Sequence, residues 1–385
     1  MTVPSRTVLA IVAPLLLIAA VAAAFLAADP LRPLTGSAPP VERITVERHV
    51  LDGDGIALLV RAGGTEPMRI AQVQVDGAYW NFVQDPPGEL GRLSTAWLRV
   101  PYPWVLGETH KVVLVTRTGV TFEHAIDVAV ATPGTNSLGL LGLVGVFVGV
   151  VPVALGMLFY PALRAGGSRT FGFAMALTVG LLGFLLVDTF GEALELAAEA
   201  APGFKGGAMV WVVAALAFAL LMAVGRRKGG DIGGVALATS IALGIGLHNL
   251  GEGLAIGSAF ATGAAALGTF LVLGFTLHNV TEGIGIVAPL VGERPRWPVF
   301  VGLAALAGLP AVAGIWLGSY AFSPHWAALA LAVGAGAILQ VVVEVGGLMV
   351  RQARRQGASW ATPSALAGVF LGVAVMYGTA LLVQA

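Results

Sequence analysis

Eight long apolar segments follow one another through the last two-thirds of the chain, separated by short polar loops. Most of them exceed the roughly 20 residues that a helix needs to cross a lipid bilayer. Helices suit such a position because they satisfy their backbone hydrogen bonds internally. We therefore predict a mainly α membrane protein with an eight-helix transmembrane bundle. Its segments cover residues 137–160, 170–198, 208–225, 234–260, 264–290, 298–320, 325–350 and 363–384.

Charged residues are concentrated ahead of these segments. Residues 41–131 carry 19 charged side chains in 91 positions, whereas residues 133–385 carry 20 in 253. Only 11% of the whole chain is charged, against about 25% in ordinary soluble domains, which excludes a soluble enzyme. The 21 basic and 21 acidic residues leave no basic excess for nucleic acid. Cysteine is absent, so thiolate metal sites and disulfides are excluded as well.

The amino-terminal third divides into three predicted regions. An apolar run at 8–28 follows Arg6, so residues 1–29 are predicted to be a signal anchor or a cleaved signal peptide. The Pro-rich residues 30–40 are a predicted linker. Residues 41–132 contain β-rich runs separated by turn pairs such as Asp76-Gly77, a pattern that indicates a small immunoglobulin-like β-sandwich. Its histidines His49, His110 and His124 show no metal-site spacing and are interpreted as surface residues.

Basic residues are unevenly divided between the loops that join the apolar segments. One set of loops holds Lys205 alone. The other set holds ten, namely Arg164, Arg169, Arg226, Arg227, Lys228, Arg294, Arg296, Arg351, Arg354 and Arg355. Loops rich in Lys and Arg are cytoplasmic in most membrane proteins. We therefore predict a multi-pass protein of the cell membrane, with the β-domain and the carboxyl terminus outside the cytoplasm.

The fourth and fifth apolar segments contain two nearly identical decapeptides, LHNLGEGLAI at 247–256 and LHNVTEGIGI at 277–286. His248 and Glu252 are four residues apart, as are His278 and Glu282, so each pair shares one face of its helix. A short loop joins the two segments, which predicts antiparallel neighbours whose imidazoles and carboxylates converge. Two His and two Glu suit Zn²⁺ and neighbouring first-row metals. The alternative is that these groups only hydrogen-bond helices together.

Two further groups of polar residues lie within the predicted membrane segments. Asp188 and Glu192, in the second segment, would approach the outer surface and could gather cations at an entrance. Gln340 and Glu344, in the seventh segment, lie four residues apart toward the cytoplasmic end. Glu344 is a candidate exit ligand or proton acceptor, and a structural hydrogen-bonding role is the alternative for this pair.

The repeated His-Asn-x-x-Glu-Gly motif resembles that of the ZIP family of divalent-metal transporters, closest to its GufA-like prokaryotic branch. Ala335-Gly336-Ala337 running to Glu344 is similar to the seventh helix of that family. The resemblance covers about residues 137–385, and residues 133–385 are predicted to form an eight-helix transporter domain. It implies that His248, Glu252, His278 and Glu282 hold the main metal, with metal uptake toward the cytoplasm and often a homodimer.

The same resemblance implies a second, adjacent metal site at Asn249 and Asn279 with the two motif glutamates. It also implies an entrance role for Asp188 and an exit role for Glu344. The chain departs from the family pattern where a bridging Glu is common, because Ala311 stands there. With neutral Asn279 in place of a frequent Asp, the sequence predicts a single bound metal ion.

Three functional hypotheses follow from these observations. The first is a transporter of divalent transition metals, with zinc first and iron, manganese, cobalt or cadmium as alternatives, and without enzymatic activity or a cofactor. The second is an intramembrane zinc-dependent hydrolase, which would need an open coordination position and a general base. The third is a membrane-anchored metal sensor. The partner of the β-domain is not indicated by the sequence.

Overall fold

The computed structural model describes residues 5–28, 41–132, 137–226, 234–261, 265–321, 323–355, 357 and 359–384. The chain divides into two compact units, Met1–Val41 and Glu42–Ala385. The first unit contains helix α1 (Ser5–Ala28), which corresponds to the predicted anchor or signal segment. The predicted linker at 30–40 lies outside the described residues. The second unit contains both the β-region and the remaining helices.

The β-region consists of two antiparallel four-stranded sheets among the described residues. One sheet has the strand order β1-β2-β6-β5 and the other has the order β4-β3-β7-β8. The side chains of Leu58, Val60 and Leu114 are fully buried in the core of the region. The strands are β1 (Ile44–Asp52), β2 (Gly55–Ala62), β3 (Ile70–Val75), β4 (Ala78–Trp80), β5 (Val83–Asp85), β6 (Thr95–Val100), β7 (His110–Thr116) and β8 (Thr121–Ile126).

The sequence prediction of β-structure is confirmed, with one error about the histidines. Asp76 and Gly77 have φ of 52° and 80°, and they join β3 to β4 in a tight hairpin. The interpretation of His49 and His110 as surface residues is wrong, because they are only 8% and 2% exposed. Nδ1 of His49 lies 3.0 Å from Nε2 of His124, so these two imidazoles pair with each other.

The rest of the second unit is helical, and seven of its described helices are long and apolar enough to cross a membrane. The eighth predicted segment also forms a helix, although its apolar described stretch is shorter, Pro363–Gly378. The first helix, α2 (Leu138–Ala165), is interrupted by a π-helical turn at Val146–Val150. The others are α3 (Gly167–Glu199), α4 (Gly206–Arg226), α5 (Gly234–Ala261), α6 (Ala265–Val287), α7 (Trp297–Ala321), α8 (Pro324–Arg355) and α9 (Pro363–Gln384).

Helix α5 contacts α6, α7 and α8, and glycines bring its backbone close to that of α7. A Cβ atom added to Gly253 would lie 2.3 Å from the carbonyl oxygen of Ala311. A Cβ atom added to Gly314 would lie 2.2 Å from the carbonyl oxygen of Leu250. Only residues without a side chain permit this approach, which is a common device in membrane helix pairs. The expected proximity of the two motif helices, α5 and α6, is confirmed.

The β-region touches the helical region through a few polar and aromatic groups. Phe204 lies in the turn between α3 and α4. The guanidinium carbon of Arg61 lies 5.1 Å from the centre of the Phe204 ring. Phe204 in turn stacks on His325 at the start of α8, with ring centres 3.9 Å apart. Arg48 donates a hydrogen bond to the carbonyl oxygen of Tyr320 near the end of α7. The β-region thus contacts the turn between α3 and α4 and the end of α7.

Candidate metal centre

Three of the four predicted ligands converge at the contact of α5 and α6. Oε1 of Glu252 lies 2.9 Å from Nε2 of His248, one helical turn away on α5. The same oxygen lies 2.5 Å from Nε2 of His278 on α6. The potential ligand atoms of these three residues all lie within 4.8 Å of one another. The repeated motif therefore brings one carboxylate between two imidazoles.

This group is buried, and its acidic members are short of hydrogen-bond donors. His248, Glu252 and Glu282 are each 2% exposed, and His278 is 6% exposed. Oε2 of Glu252 and both carboxylate oxygens of Glu282 have no hydrogen-bond partner among the described residues. Buried carboxylate oxygens without donors are energetically costly. The arrangement is therefore suited to a cation.

Glu282, the fourth predicted ligand, is not a member of the group of three. Its carboxylate lines a small cavity together with apolar side chains of α3, α5 and α9. Asn249 lies beside Glu282, and the amide nitrogen of Asn249 also donates a hydrogen bond to the carbonyl oxygen of Ala307. Glu282 thus lies near the group, and neither of its carboxylate oxygens has a hydrogen-bond partner of good geometry among the described residues.

The two motif asparagines make equivalent contacts with two other helices. Nδ2 of Asn249 donates to the carbonyl oxygen of Ala307 on α7, at 3.0 Å. Nδ2 of Asn279 donates to the carbonyl oxygen of Val148 in the π-helical turn of α2, also at 3.0 Å. Both side chains are fully buried, and both Oδ1 atoms lack a partner among the described residues. The amide nitrogens therefore join helices, and only the oxygens are available to a metal.

The structure adds a residue that the sequence reasoning missed. Thr189 on α3 is fully buried, and its hydroxyl lies 2.7 Å from Nδ1 of His248. A hydroxyl in an apolar helix is a weak sequence signal because such groups commonly bond to their own backbone. Its position directly after Asp188 on α3 was the only available indication. Thr189 thus connects the part of α3 that carries Asp188 and Glu192 to the candidate metal centre.

The predicted entrance and exit residues lie outside the group of three. Asp188 and Glu192 flank Thr189 on α3, and both interact electrostatically with His248. Gln340 is buried in α8, and Glu344 is half-buried one turn further along. Oε2 of Glu344 has no hydrogen-bond partner among the described residues. The structure therefore brings Asp188 and Glu192 into electrostatic range of the centre, whereas Gln340 and Glu344 form a separate pair.

Comparisons with known proteins do not assign the chain to a family. A search with protein-family models returns no match, and neither does a search of characterised proteins.

Proposed function

We propose that this chain is a membrane transporter of divalent transition-metal ions, with zinc as the first candidate substrate. The metal would bind at His248, Glu252 and His278, with Glu282 completing the site. Iron, manganese, cobalt and cadmium are the alternative substrates. The sequence resemblance to ZIP transporters supports this proposal, as does the position of the site within apolar helices.

One observation carries the proposal: several buried oxygens around the two imidazoles have no hydrogen-bond partner among the described residues. Five such atoms belong to the two motifs, since Glu282 contributes two and Glu252, Asn249 and Asn279 contribute one each. Helix packing alone requires partnered polar groups, because each unsatisfied buried group costs about 1–3 kcal/mol. A divalent cation would compensate the carboxylates directly. Nitrogen and carboxylate ligands are those that zinc prefers when no cysteine is present.

The present geometry needs only a modest change to accommodate a metal. Ligand atoms about 2.1 Å from a tetrahedral zinc ion lie roughly 3.4 Å apart. The two imidazole nitrogens are now 2.9 and 2.5 Å from Glu252 Oε1. Side-chain shifts of less than about 1 Å would open the required separation. The metal would then replace the protons that link these groups.

The transport route and the orientation are parts of the same proposal. Asp188 and Glu192 would admit the ion from outside, and Gln340 and Glu344 would receive it on the cytoplasmic side. The uneven distribution of basic loops supports a β-region and a carboxyl terminus outside the cytoplasm, with α1 as a signal anchor. An eight-helix transporter domain, an immunoglobulin-like β-domain and a homodimer complete the architecture that we propose.

Uptake by reconstituted protein tests the function. Liposomes containing the purified full chain and an internal zinc-sensitive dye should accumulate Zn²⁺, whereas Glu252→Gln should reduce uptake to the level of empty liposomes. Glu195→Gln is a matched control, since the same change falls on an exposed side chain of α3 outside the group of three. This control should retain at least half of the parental uptake.

The remaining outcomes separate the alternatives. Parental uptake by Glu252→Gln would show that the carboxylate is structural. Zinc binding without uptake would exclude transport and favour the zinc hydrolase or the metal sensor. Release of product from a hydrolysable substrate would then indicate the hydrolase, and its absence the sensor.

A further inference from the structure

Among the described residues, helix α3 places a hydroxyl within hydrogen-bond distance of one of the two motif histidines, His248. Oγ1 of Thr189 lies 2.7 Å from Nδ1 of His248, and Thr189 is fully buried. The other nitrogen of the same ring, Nε2, lies 2.9 Å from Glu252. Both nitrogens of His248 are therefore engaged, and the plane of the imidazole is held from two sides.

His278 lacks such a second partner. Its Nε2 lies beside Glu252, but Nδ1 makes no hydrogen bond with any described residue. The rings of Phe275 and His248 lie near it, with centres 5.4 and 6.4 Å away. The two histidines of the repeated motif are consequently unequal, because His248 is held in one orientation and His278 is freer to turn.

The chemistry of a hydroxyl fits this position. A neutral imidazole offers one lone pair, and a metal can bind Nε2 only if the ring proton is on Nδ1. A hydrogen-bond acceptor at Nδ1 favours this tautomer and directs Nε2 to the metal. A hydroxyl can accept from Nδ1–H or donate to an unprotonated Nδ1. Thr189 can therefore keep its bond to His248 whichever ring nitrogen carries the proton.

We propose that Thr189 is a positioning residue that holds His248 with Nε2 directed at the transported metal ion. This inference rests on the proposed function. It makes His248 the oriented ligand of the site and His278 the adaptable one. Partners of this kind contribute roughly 10- to 100-fold to metal affinity in other metal centres.

Cobalt binding to the purified full chain tests this role, because Co²⁺ reports its ligands through visible absorption. Thr189→Val removes the hydroxyl with little change of shape and should weaken Co²⁺ binding by roughly 10- to 100-fold. The cobalt spectrum should also change, since His248 is no longer held. Thr189→Ser retains a hydroxyl and should bind Co²⁺ within about threefold of the parent. A purely structural role would not predict this rescue together with a spectral change.

Thr239→Val is the matched control on α5, because the hydroxyl of Thr239 bonds only to its own helix, at the carbonyl oxygen of Val235. Its affinity and spectrum should equal those of the parent. Parental affinity in Thr189→Val, or equal losses in Thr189→Val and Thr189→Ser, would overturn the positioning role while the proposed function stands. Failure of the parent itself to bind Co²⁺ or Zn²⁺ would instead overturn the metal site, and the positioning role with it.

Discussion

The β-region and the helical region each contain buried glutamates, but the hydrogen-bond partners of these glutamates differ. Glu47 in β1 is 5% exposed and forms a two-bond ion pair with Arg61 of β2, at 2.5 and 3.1 Å. Glu282 in α6 is 2% exposed, and neither of its oxygens has a hydrogen-bond partner among the described residues. Within the described part of the chain, one buried carboxylate thus has a cationic hydrogen-bond partner and the other has no hydrogen-bond partner.

This difference separates a structural role from a binding role. A buried ion pair whose hydrogen bonds are satisfied is complete within the protein. A buried carboxylate without a partner destabilises the fold, so a purely structural role does not explain it. Binding of a cation from outside the protein would explain it. The comparison predicts that the two regions respond in opposite ways to the same substitution.

The largest expected effect concerns the sides of the membrane on which the β-region and the loop after α6 lie. The parent has no cysteine, so single cysteines can be labelled without background. Gly53, in the β-region, and Gly292, in the loop after α6, each have open space around an added Cβ atom. An impermeant maleimide should label Gly53→Cys completely in intact cells, and Gly292→Cys only after permeabilisation. Labelling of both variants in intact cells would contradict the proposed topology.

The second prediction compares the two glutamates in metal-free protein. Glu47→Gln leaves Arg61 without its charged partner and should lower the free energy of unfolding by about 3 kcal/mol. Glu282→Gln replaces a buried carboxyl group whose oxygens have no hydrogen-bond partner among the described residues, so it should leave stability unchanged or raise it. Denaturant unfolding of the full chain in detergent measures both. Destabilisation of similar size in both variants would show that Glu282 has a structural partner.

The smallest effect concerns the paired histidines of the β-region. Burial, assisted by the nearby His124 and Arg48, lowers the pKa of His49 from 6.5 to about 4. The unfolded chain therefore binds a proton at His49 more readily than the folded chain does. Stability should be full above pH 6.5 and decline as the pH falls toward 4.

Between pH 7 and pH 5 the expected loss at His49 is about 2 kcal/mol. Comparing the unfolding free energy of the parent and His49→Leu across this range isolates the contribution of the histidine. The pH dependence should be weaker in the variant, and an identical dependence in both proteins would exclude His49 as its source.

Much of the fold was predictable because membrane helices and amphipathic strands have simple sequence periodicities. The apolar runs predicted the helices, and alternation predicted the strands that include Val46, Leu58 and Val112. Short strands such as Ala78–Trp80 and Val83–Asp85 were missed, since three residues are too few to show a pattern. The approach of α5 and α6 followed from the short connection between the two motifs.

The proximity of His248, Glu252 and His278 was predictable from the sequence, but the contacts around them were not. His248, Glu252 and His278 could be grouped because the same spacing occurs twice. Thr189 lies 59 positions from His248, and no local pattern connects them. The amide nitrogens of Asn249 and Asn279 bond to other helices, which depends on backbone packing that the sequence does not display. Such contacts arise from tertiary structure alone.

The central claim is that a metal ion binds the buried oxygens of α5 and α6 that have no hydrogen-bond partner among the described residues. Anomalous scattering tests this claim most directly. Crystals of the full chain soaked in Zn²⁺ should show one strong peak per chain in the bundle, about 2.0–2.2 Å from the two imidazoles and Glu252. A single peak is expected because neutral Asn249 and Asn279 cannot offset the repulsion between two adjacent divalent ions. The absence of a peak between these helices would contradict the metal centre, and two strong peaks would contradict a single-ion site.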